Sequence, residues 1–222
     1  MMHYKNLTII GTSHIAIESV RLVEKIILDE NPGIVGLELD RPRFFALVSG
    51  KKRKLSLNDI RQLGLKGFLV NLIGAWVEKK LGEIVGMPPG SDMLKAVQTA
   101  QKINADIALI DQDIRITLRR LNKAITWKEK LMFVWDLIKG LVLQKPVVKF
   151  DLRKVPSEEV IETLMKKVKH DYPSFYRVLV EERNEVMSKS LYKLMSLNKT
   201  IVAVVGAGHE KEIVRLVKGF ET

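Results

Sequence analysis

The chain contains no cysteine among its 222 residues. Disulfide bonds, thiolate metal sites and a cysteine nucleophile are therefore excluded, and any metal ion must be held by nitrogen and oxygen ligands. Long apolar runs are also missing, because no stretch reaches the roughly 18 consecutive apolar residues that a membrane-spanning helix needs. No secretory signal precedes the first apolar run. The sequence therefore predicts a cytoplasmic protein, with association at a membrane surface as the alternative.

Acidic residues are few relative to basic ones. The chain has 37 lysines and arginines against 26 aspartates and glutamates, which gives a formal net charge of +11. Much of the excess falls between Arg115 and Lys154, where eleven basic and three acidic residues give a local net charge of +8. Basic surfaces attract nucleic acid or anionic lipid. No nucleic-acid fold signature accompanies this segment, so we expect a solvated basic lobe, an anionic membrane surface or a partner surface instead.

Short apolar runs alternate with patterns of helical period along the chain. The runs at 7–10, 34–40, 105–110 and 201–205 predict buried strands. The first two are separated by one helix, which is the spacing of a parallel βαβ unit. The sequence therefore predicts an α/β fold in a single domain over residues 1–222, with a central sheet of at least four mainly parallel strands flanked by helices.

A helical insertion is predicted between the second and the last strand. It forms a cap lobe at about 55–90 and 115–150, and it contains all three tryptophans, Trp76, Trp127 and Trp135. One interpretation is that these helices pack on each other and on the sheet. The other is a membrane surface or a homo-oligomer interface, because basic amphipathic helices with tryptophan suit an interface.

Two Gly-x-x-His motifs follow the first and the last predicted strands. They are Gly11-Thr12-Ser13-His14 and Gly206-Ala207-Gly208-His209. The glycines Gly11, Gly206 and Gly208 allow a tight turn and a close approach of the backbone. Ligands of open α/β sheets bind beyond the carboxyl ends of the strands. We therefore expect His14 and His209 to share one site.

Charged residues also occur where apolar ones are expected. Glu38 lies inside an apolar run, where an unpaired carboxylate is costly. Arg183 falls on the apolar stripe of a helix predicted from about residue 173 to 197, so it needs a partner or must reach solvent. Asp111 and Asp113 follow the third strand. The polar residues collected in this way are His14, Glu38, Asp40, Asp111, Asp113, Arg183 and His209.

Two imidazoles and one carboxylate form a common open site for a divalent metal ion. Such an ion lowers the pKa of bound water and polarises a carbonyl group. His14, Glu38 and His209 are the candidate ligands, and Arg183 the candidate partner of a substrate carboxylate or a developing oxyanion. Glu38 can instead act as a general base or pair structurally with Arg183. Asp111 and Asp113 are candidate substrate-binding residues or, alternatively, helix caps or salt-bridge partners.

These motifs resemble the TraB/PrgY family, which is related to the TIKI-type metalloproteases. The resemblance covers nearly the whole chain. It implies an EreA/ChaN-like fold and, through the TIKI branch, a peptidase that uses a divalent metal such as manganese, cobalt or zinc. The family pattern of two Gly-x-x-His motifs, a glutamate and an arginine matches His14, His209, Glu38 and Arg183. The supporting segments are 11–14, 35–40, 89–93, 111–118, 182–184 and 204–209.

Three positions depart from the family pattern, since Asp92, Gln112 and Asn184 stand where glutamate, arginine and aspartate are usual. The leading prediction is a divalent-metal-dependent hydrolase that acts on peptides. The likeness to ChaN-like proteins implies an alternative, which is a non-catalytic module that sequesters a peptide or haem, because histidine can ligate haem iron.

Overall fold

The computed structural model describes residues 1–13, 17–50, 90–143 and 158–220, and the elements that follow lie within these ranges. The strands are β1 (Met2–Tyr4), β2 (Leu7–Thr12), β3 (Ile34–Leu37), β4 (Asp106–Leu109) and β5 (Ile201–Gly206). The helices are α1 (Ile17–Glu30), α2 (Arg41–Ser49), α3 (Ser91–Lys102), α4 (Ile114–Ala124), α5 (Trp127–Leu143), α6 (Glu158–Asp171), α7 (Pro173–Tyr176), α8 (Glu182–Met195) and α9 (Glu210–Gly219), with a π-helix at Arg177–Glu181 between α7 and α8.

The described strands form one sheet in the order β1-β2-β5-β3-β4. The pairs β2–β5, β5–β3 and β3–β4 are parallel, and β1 is antiparallel to β2. The last strand therefore inserts between the first two long strands, and the four parallel strands end at the same edge of the sheet. This confirms the predicted α/β class and adds β1, whose residues carry too short an apolar pattern to predict a strand.

Strand β5 is buried on both faces, as its uninterrupted apolar sequence requires. Side chains alternate along a strand, so Ala203 and Val205 belong to one core with Met187 and Leu191 of α8. Val202 and Val204 belong to a second core. Its helical side chains include Val23 and Ile27 of α1, and Met93, Ala96 and Val97 of α3. The sheet therefore lies between two helical layers, with β5 at the centre.

Two elements differ from their predicted extents in ways that affect the site. Strand β3 ends at Leu37 rather than near Asp40, because the amide of Leu39 turns back to the carbonyl of Leu37 (2.7 Å). Glu38 therefore lies just beyond the strand. The single helix predicted from about residue 173 to 197 is interrupted by the π-helix, which widens the turn immediately before Arg183.

The predicted cap lobe is only partly within the described residues. Helices α4 and α5 occupy 114–143, whereas 55–89 and 144–150, and with them Trp76, lie outside the described ranges. In the part of the chain that the structure describes, no helix combines the length and the apolar character needed to cross a bilayer.

Candidate active site at the carboxyl edge of the sheet

Four of the predicted site residues meet beyond the carboxyl ends of β3, β4 and β5. Glu38 follows β3, Asp111 follows β4 and His209 follows β5, while Arg183 reaches them from the first turn of α8. The neighbouring strands β3 and β5 are parallel, so Glu38 and Gly206, 168 positions apart in the sequence, become adjacent. His14 lies outside the described residues.

Glu38 is 6% exposed, and its carboxylate is held from two sides. Its Oε2 accepts a hydrogen bond from the backbone amide of Gly206 (2.6 Å), and its Oε1 accepts one from Nη2 of Arg183. The amide of Glu38 also donates to the carbonyl of Val204 (3.1 Å). These contacts supply the partners that a buried carboxylate requires. They also tie the end of β3 to the turn that carries His209.

Arg183 is positioned by the helix distortion that precedes it. Its Nη1 donates to the carbonyl of Leu179 (3.2 Å), which belongs to the π-helix, and its Nη2 also donates to Oδ2 of Asp111 (2.7 Å). Burial lowers the pKa of this guanidinium, but the charges of Glu38 and Asp111 outweigh that effect and hold the pKa above its ordinary value. Arg183 is therefore a permanent cation. Single-turn π-helices often occur at functional sites.

A second arginine joins the cluster through Asp111. The buried Asp111 carboxylate accepts a hydrogen bond from Nη2 of Arg43 (2.6 Å) as well as from Arg183. Nε of Arg43 lies 3.3 Å from Oδ1 of Asp40. Within the described residues, two arginines thus face the three carboxylates of Glu38, Asp40 and Asp111, which leaves these five side chains with an excess of one negative charge. That excess suits a cation more than an anion at this edge.

His209 presents one ring nitrogen to this cluster and the other to a buried amide. Its Nδ1 is 2.6 Å from Oδ1 of Asn184, which can only accept, so Nδ1 carries the proton in this arrangement. Its Nε2 faces the charged groups, 3.5 Å from Oε1 of Glu38 and 3.5 Å from Nη1 of Arg183. The imidazole is 9% exposed. When its Nε2 is unprotonated, a histidine held in this way can bind a metal ion or accept a proton.

Asn184 and Arg43 are the site residues that the sequence did not indicate as such. Asn184 is buried, and its Nδ2 has no hydrogen-bond partner among the described residues. The sequence signal for Asn184 was its spacing of four residues from Ser188, which puts two polar residues on the same buried stripe of α8. For Arg43 the signal was its position after Asp40, whose side chain accepts from the Arg43 amide and caps α2.

The two aspartates predicted to bind substrate have different surroundings. Asp111 is part of the cluster, as described above. Asp113 is the N-cap of α4, where it accepts a hydrogen bond from the backbone amide of Arg115 (2.8 Å) and pairs with the same arginine's guanidinium. The Asp113 contacts match the alternative that the sequence left open, a helix cap. A role for Asp113 with substrate remains a prediction.

A buried polar pair lies at the end of β2. The hydroxyl of Thr12 is 2.6 Å from Oδ2 of Asp92 and 3.1 Å from the carbonyl of Val205, and both Thr12 and Asp92 are buried. Asp92 lies in the first turn of α3, which begins after Gly90 in a left-handed conformation (φ 81°). The pair therefore joins α3 to the edge of the sheet at the first Gly-x-x-His motif.

Two motif glycines lie where a side chain would collide with its surroundings. A Cβ on Gly11 would lie 3.1 Å from the Cα of Ala207 and would overlap the carboxylate of Glu210. A Cβ on Gly208 would overlap the terminal methyl group of Met165, which α6 places over this turn. The glycines thus let the two turns and α6 pack together around His209.

His209 and Glu38 offer donor types that a divalent cation accepts, and the guanidinium of Arg183 contacts both donor atoms. An imidazole nitrogen and a carboxylate oxygen each about 2.1 Å from one tetrahedral ion lie about 3.4 Å apart, and Nε2 of His209 and Oε1 of Glu38 are 3.5 Å apart. The described ranges contain no group of three or more histidines, aspartates or glutamates placed to hold a metal ion. His14, the third ligand that the sequence predicts, lies outside these ranges.

The fold and the cluster together define the class of protein, an α/β domain with a buried Glu–Arg–His site at the carboxyl edge of a parallel sheet. Comparison with known families then identifies it, since residues 3–220 match the model of the TraB/PrgY/gumN family. The chain belongs to this family.

The similar proteins come from archaea and animals. The chain is 41% identical over 219 residues to the uncharacterized protein MJ1365 of Methanocaldococcus jannaschii, covering 96% of this chain and 53% of that protein. It is 26% identical over 227 residues to the TraB domain-containing protein of Homo sapiens, covering 90% of this chain and 60% of that protein. The mouse TraB domain-containing protein is similar at 25% identity, with the same coverage. The chain thus spans little more than half the length of these relatives.

Proposed function

We propose that this chain is a hydrolase of peptides whose active site is the cluster of Glu38, Arg183 and His209. The observation that carries the proposal is the meeting of these three side chains, from three distant parts of the sequence, at the sheet edge where α/β proteins bind ligands. Buried, charged and hydrogen-bonded groups concentrated in one place are typical of catalytic sites.

His209 and Glu38 are the described residues that would hold a divalent ion, with His14 as the further ligand. When bound, such an ion lowers the pKa of a water ligand and polarises the carbonyl group of a peptide. The contact from Asn184 keeps the His209 ring in one orientation, in which its Nε2 faces Glu38 and Arg183. Hydrogen-bond partners of the other ring nitrogen, such as Asn184, fix the tautomer of metal-binding histidines.

Arg183 has two roles in this proposal. It balances the charge of Glu38, which makes the burial of that carboxylate tolerable. It also keeps a permanent positive charge 3.5 Å from Nε2 of His209. A guanidinium in that place stabilises negative charge that develops on a carbonyl oxygen during attack by water. In the alternative assignment, Glu38 does not hold the ion and is instead the general base that accepts the proton of that water.

The test is an assay of peptide cleavage by the full chain. A mixed peptide library is incubated with Mn²⁺, Co²⁺ or Zn²⁺ separately, and products are read by mass spectrometry. The proposal predicts metal-dependent cleavage that falls at least a hundredfold in Glu38→Gln, His209→Ala and His14→Ala, as expected when a group that acts in the reaction is lost. His170→Ala is the matched control, because that side chain is 89% exposed.

Other outcomes would remove the proposal. Equal cleavage by His209→Ala and the unchanged chain would show that the activity arises elsewhere. Tight binding of peptides without any cleavage, with every metal, would favour the alternative of a module that sequesters its ligand. An absorption band on addition of haem, lost in His209→Ala, would favour haem as that ligand.

A further inference from the structure

Helix α5 exposes three large apolar side chains on one stripe. Trp127 is 69% exposed, Leu131 is 69% exposed and Trp135 is 58% exposed. They are four residues apart, so they lie one above the other on the same face of the helix. Tryptophan side chains are highly buried on average in soluble proteins, so exposure of this extent is unusual. The stripe is therefore a surface feature that calls for an explanation.

The opposite face of α5 is fixed against the protein. Glu129 is buried, where it accepts hydrogen bonds from the amides of Thr126 (2.9 Å) and Ser174 (2.7 Å). Phe133 stacks on Phe175, with ring centroids 6.0 Å apart. These contacts set the rotation of the helix about its axis. The tryptophan stripe consequently lies on the side of α5 opposite Glu129 and Phe133.

Charge is distributed unevenly around the stripe. Lys128 and Lys130 flank it, and Nζ of Lys130 lies 4.7 Å from the ring centre of Trp127. The two acidic residues of the described part of α5 are turned toward α7, since Glu129 bonds the amide of Ser174 and Asp136 accepts from the hydroxyl of Tyr172 (2.6 Å). Helix α4, which precedes α5, contains four basic residues, of which Arg115 and Arg120 pair with Asp113 and Glu182. The stripe is thus apolar at its centre and cationic at its margins.

We propose that this face binds the surface of an anionic phospholipid bilayer. Tryptophan prefers the boundary between headgroups and acyl chains, and lysines beside an apolar helix face pair with lipid phosphates. A second copy of the chain is a poorer occupant, because a two-fold interface uses the same patch on both subunits, and the acidic residues of α5 are engaged toward α7 and do not face the lysines. The lysines beside the stripe therefore favour an anionic lipid surface as the occupant. This surface is separate from the Glu38 cluster and does not depend on the proposed hydrolase activity.

The experiment uses the full chain and sedimented vesicles of two compositions, phosphatidylcholine alone and an equal mixture of phosphatidylcholine and phosphatidylglycerol. A Trp76→Phe background leaves Trp127 and Trp135 as the fluorescent reporters. We expect binding to the anionic vesicles only, with a blue shift of emission and weaker binding as salt is raised. Lys128→Gln and Lys130→Gln should each weaken binding about fivefold, since one lysine near an anionic surface contributes about 1 kcal/mol.

Matched variants separate this face from the overall positive charge. Leu131→Ser should weaken binding, whereas Leu197→Ser, at another exposed leucine, should not. Lys25→Gln and Lys166→Gln, at exposed positions on α1 and α6, should leave binding nearly unchanged. The proposal is overturned if anionic vesicles do not sediment the chain, or if both sets of variants act alike. It is also overturned if the tryptophans are already blue-shifted and shielded from acrylamide without lipid, because another part of the chain or a second copy then covers them.

Discussion

Replacing Arg183 with methionine tests whether the buried cluster is formed as described. The change keeps an unbranched apolar side chain but removes the guanidinium that neutralises Glu38 and is shared with Asp111. Asp111 retains Arg43 as a cationic partner, whereas Glu38 retains, among the contacts described above, the amide of Gly206. Removing one partner of a buried ion pair costs about 3–5 kcal/mol. We therefore expect Arg183→Met to lower the free energy of unfolding by about that amount.

A double-mutant cycle isolates the contribution of the pair. In Arg183→Met with Glu38→Gln, the buried charge that lacked its partner is gone, so the double variant should be more stable than Arg183→Met alone by about 1–3 kcal/mol. Urea unfolding followed by circular dichroism measures both values, with an unchanged m-value as the condition for comparison. Arg120→Met, which removes an exposed arginine paired with Glu182, is the control and should have little effect. Strictly additive effects at positions 183 and 38 would refute the ion pair.

Further predictions concern the cap of α5, the glycines and Asn184. Burial raises the pKa of Glu129, but hydrogen bonds from Thr126 and Ser174 outweigh it and place the pKa below its ordinary value. Glu129→Gln should therefore lower the free energy of unfolding by about 1–2 kcal/mol at pH 7. Chemical unfolding at a series of pH values should show that this difference shrinks below about pH 4, because Glu129 then becomes protonated. Gly11→Ala should lower the free energy of unfolding by about 1–3 kcal/mol, because the added Cβ meets the Ala207 backbone. Gly36→Ala should leave it nearly unchanged, because its Cβ makes ordinary contacts at 3.5 Å. Thermal unfolding compares the two variants. Asn184→Ala should weaken metal binding about 10–100-fold and Asn184→Asp should weaken it less, since the aspartate can still accept from Nδ1 of His209; calorimetric titration distinguishes them.

Much of the fold could be predicted from the sequence because β5 and the runs that pair with it are almost purely apolar. Such runs are buried on both faces, and their alternation with helical patterns leaves a parallel sheet as the simple solution. The strand order could not be predicted, because the apolar pattern of a strand does not determine which strand pairs with it. The insertion of β5 between β2 and β3 is seen only in the folded sheet.

The candidate site was predictable where polar residues occur in apolar surroundings. Glu38 and Arg183 violate the patterns of their segments, and each proved to be the other's partner. Asn184 was not identified as a site residue because an asparagine on a helix raises no such conflict until its contact with His209 is known. The π-helix before Arg183 was likewise unpredictable, because its residues have an ordinary helical pattern.

The measurement that tests the central claim most directly is a calorimetric titration of the full chain with Mn²⁺. The account predicts one ion bound per chain, with binding lost in His209→Ala and in Glu38→Gln and preserved in His170→Ala. Binding of the same strength and stoichiometry by His209→Ala would contradict it, as would an absence of binding for Mn²⁺, Co²⁺ and Zn²⁺ alike.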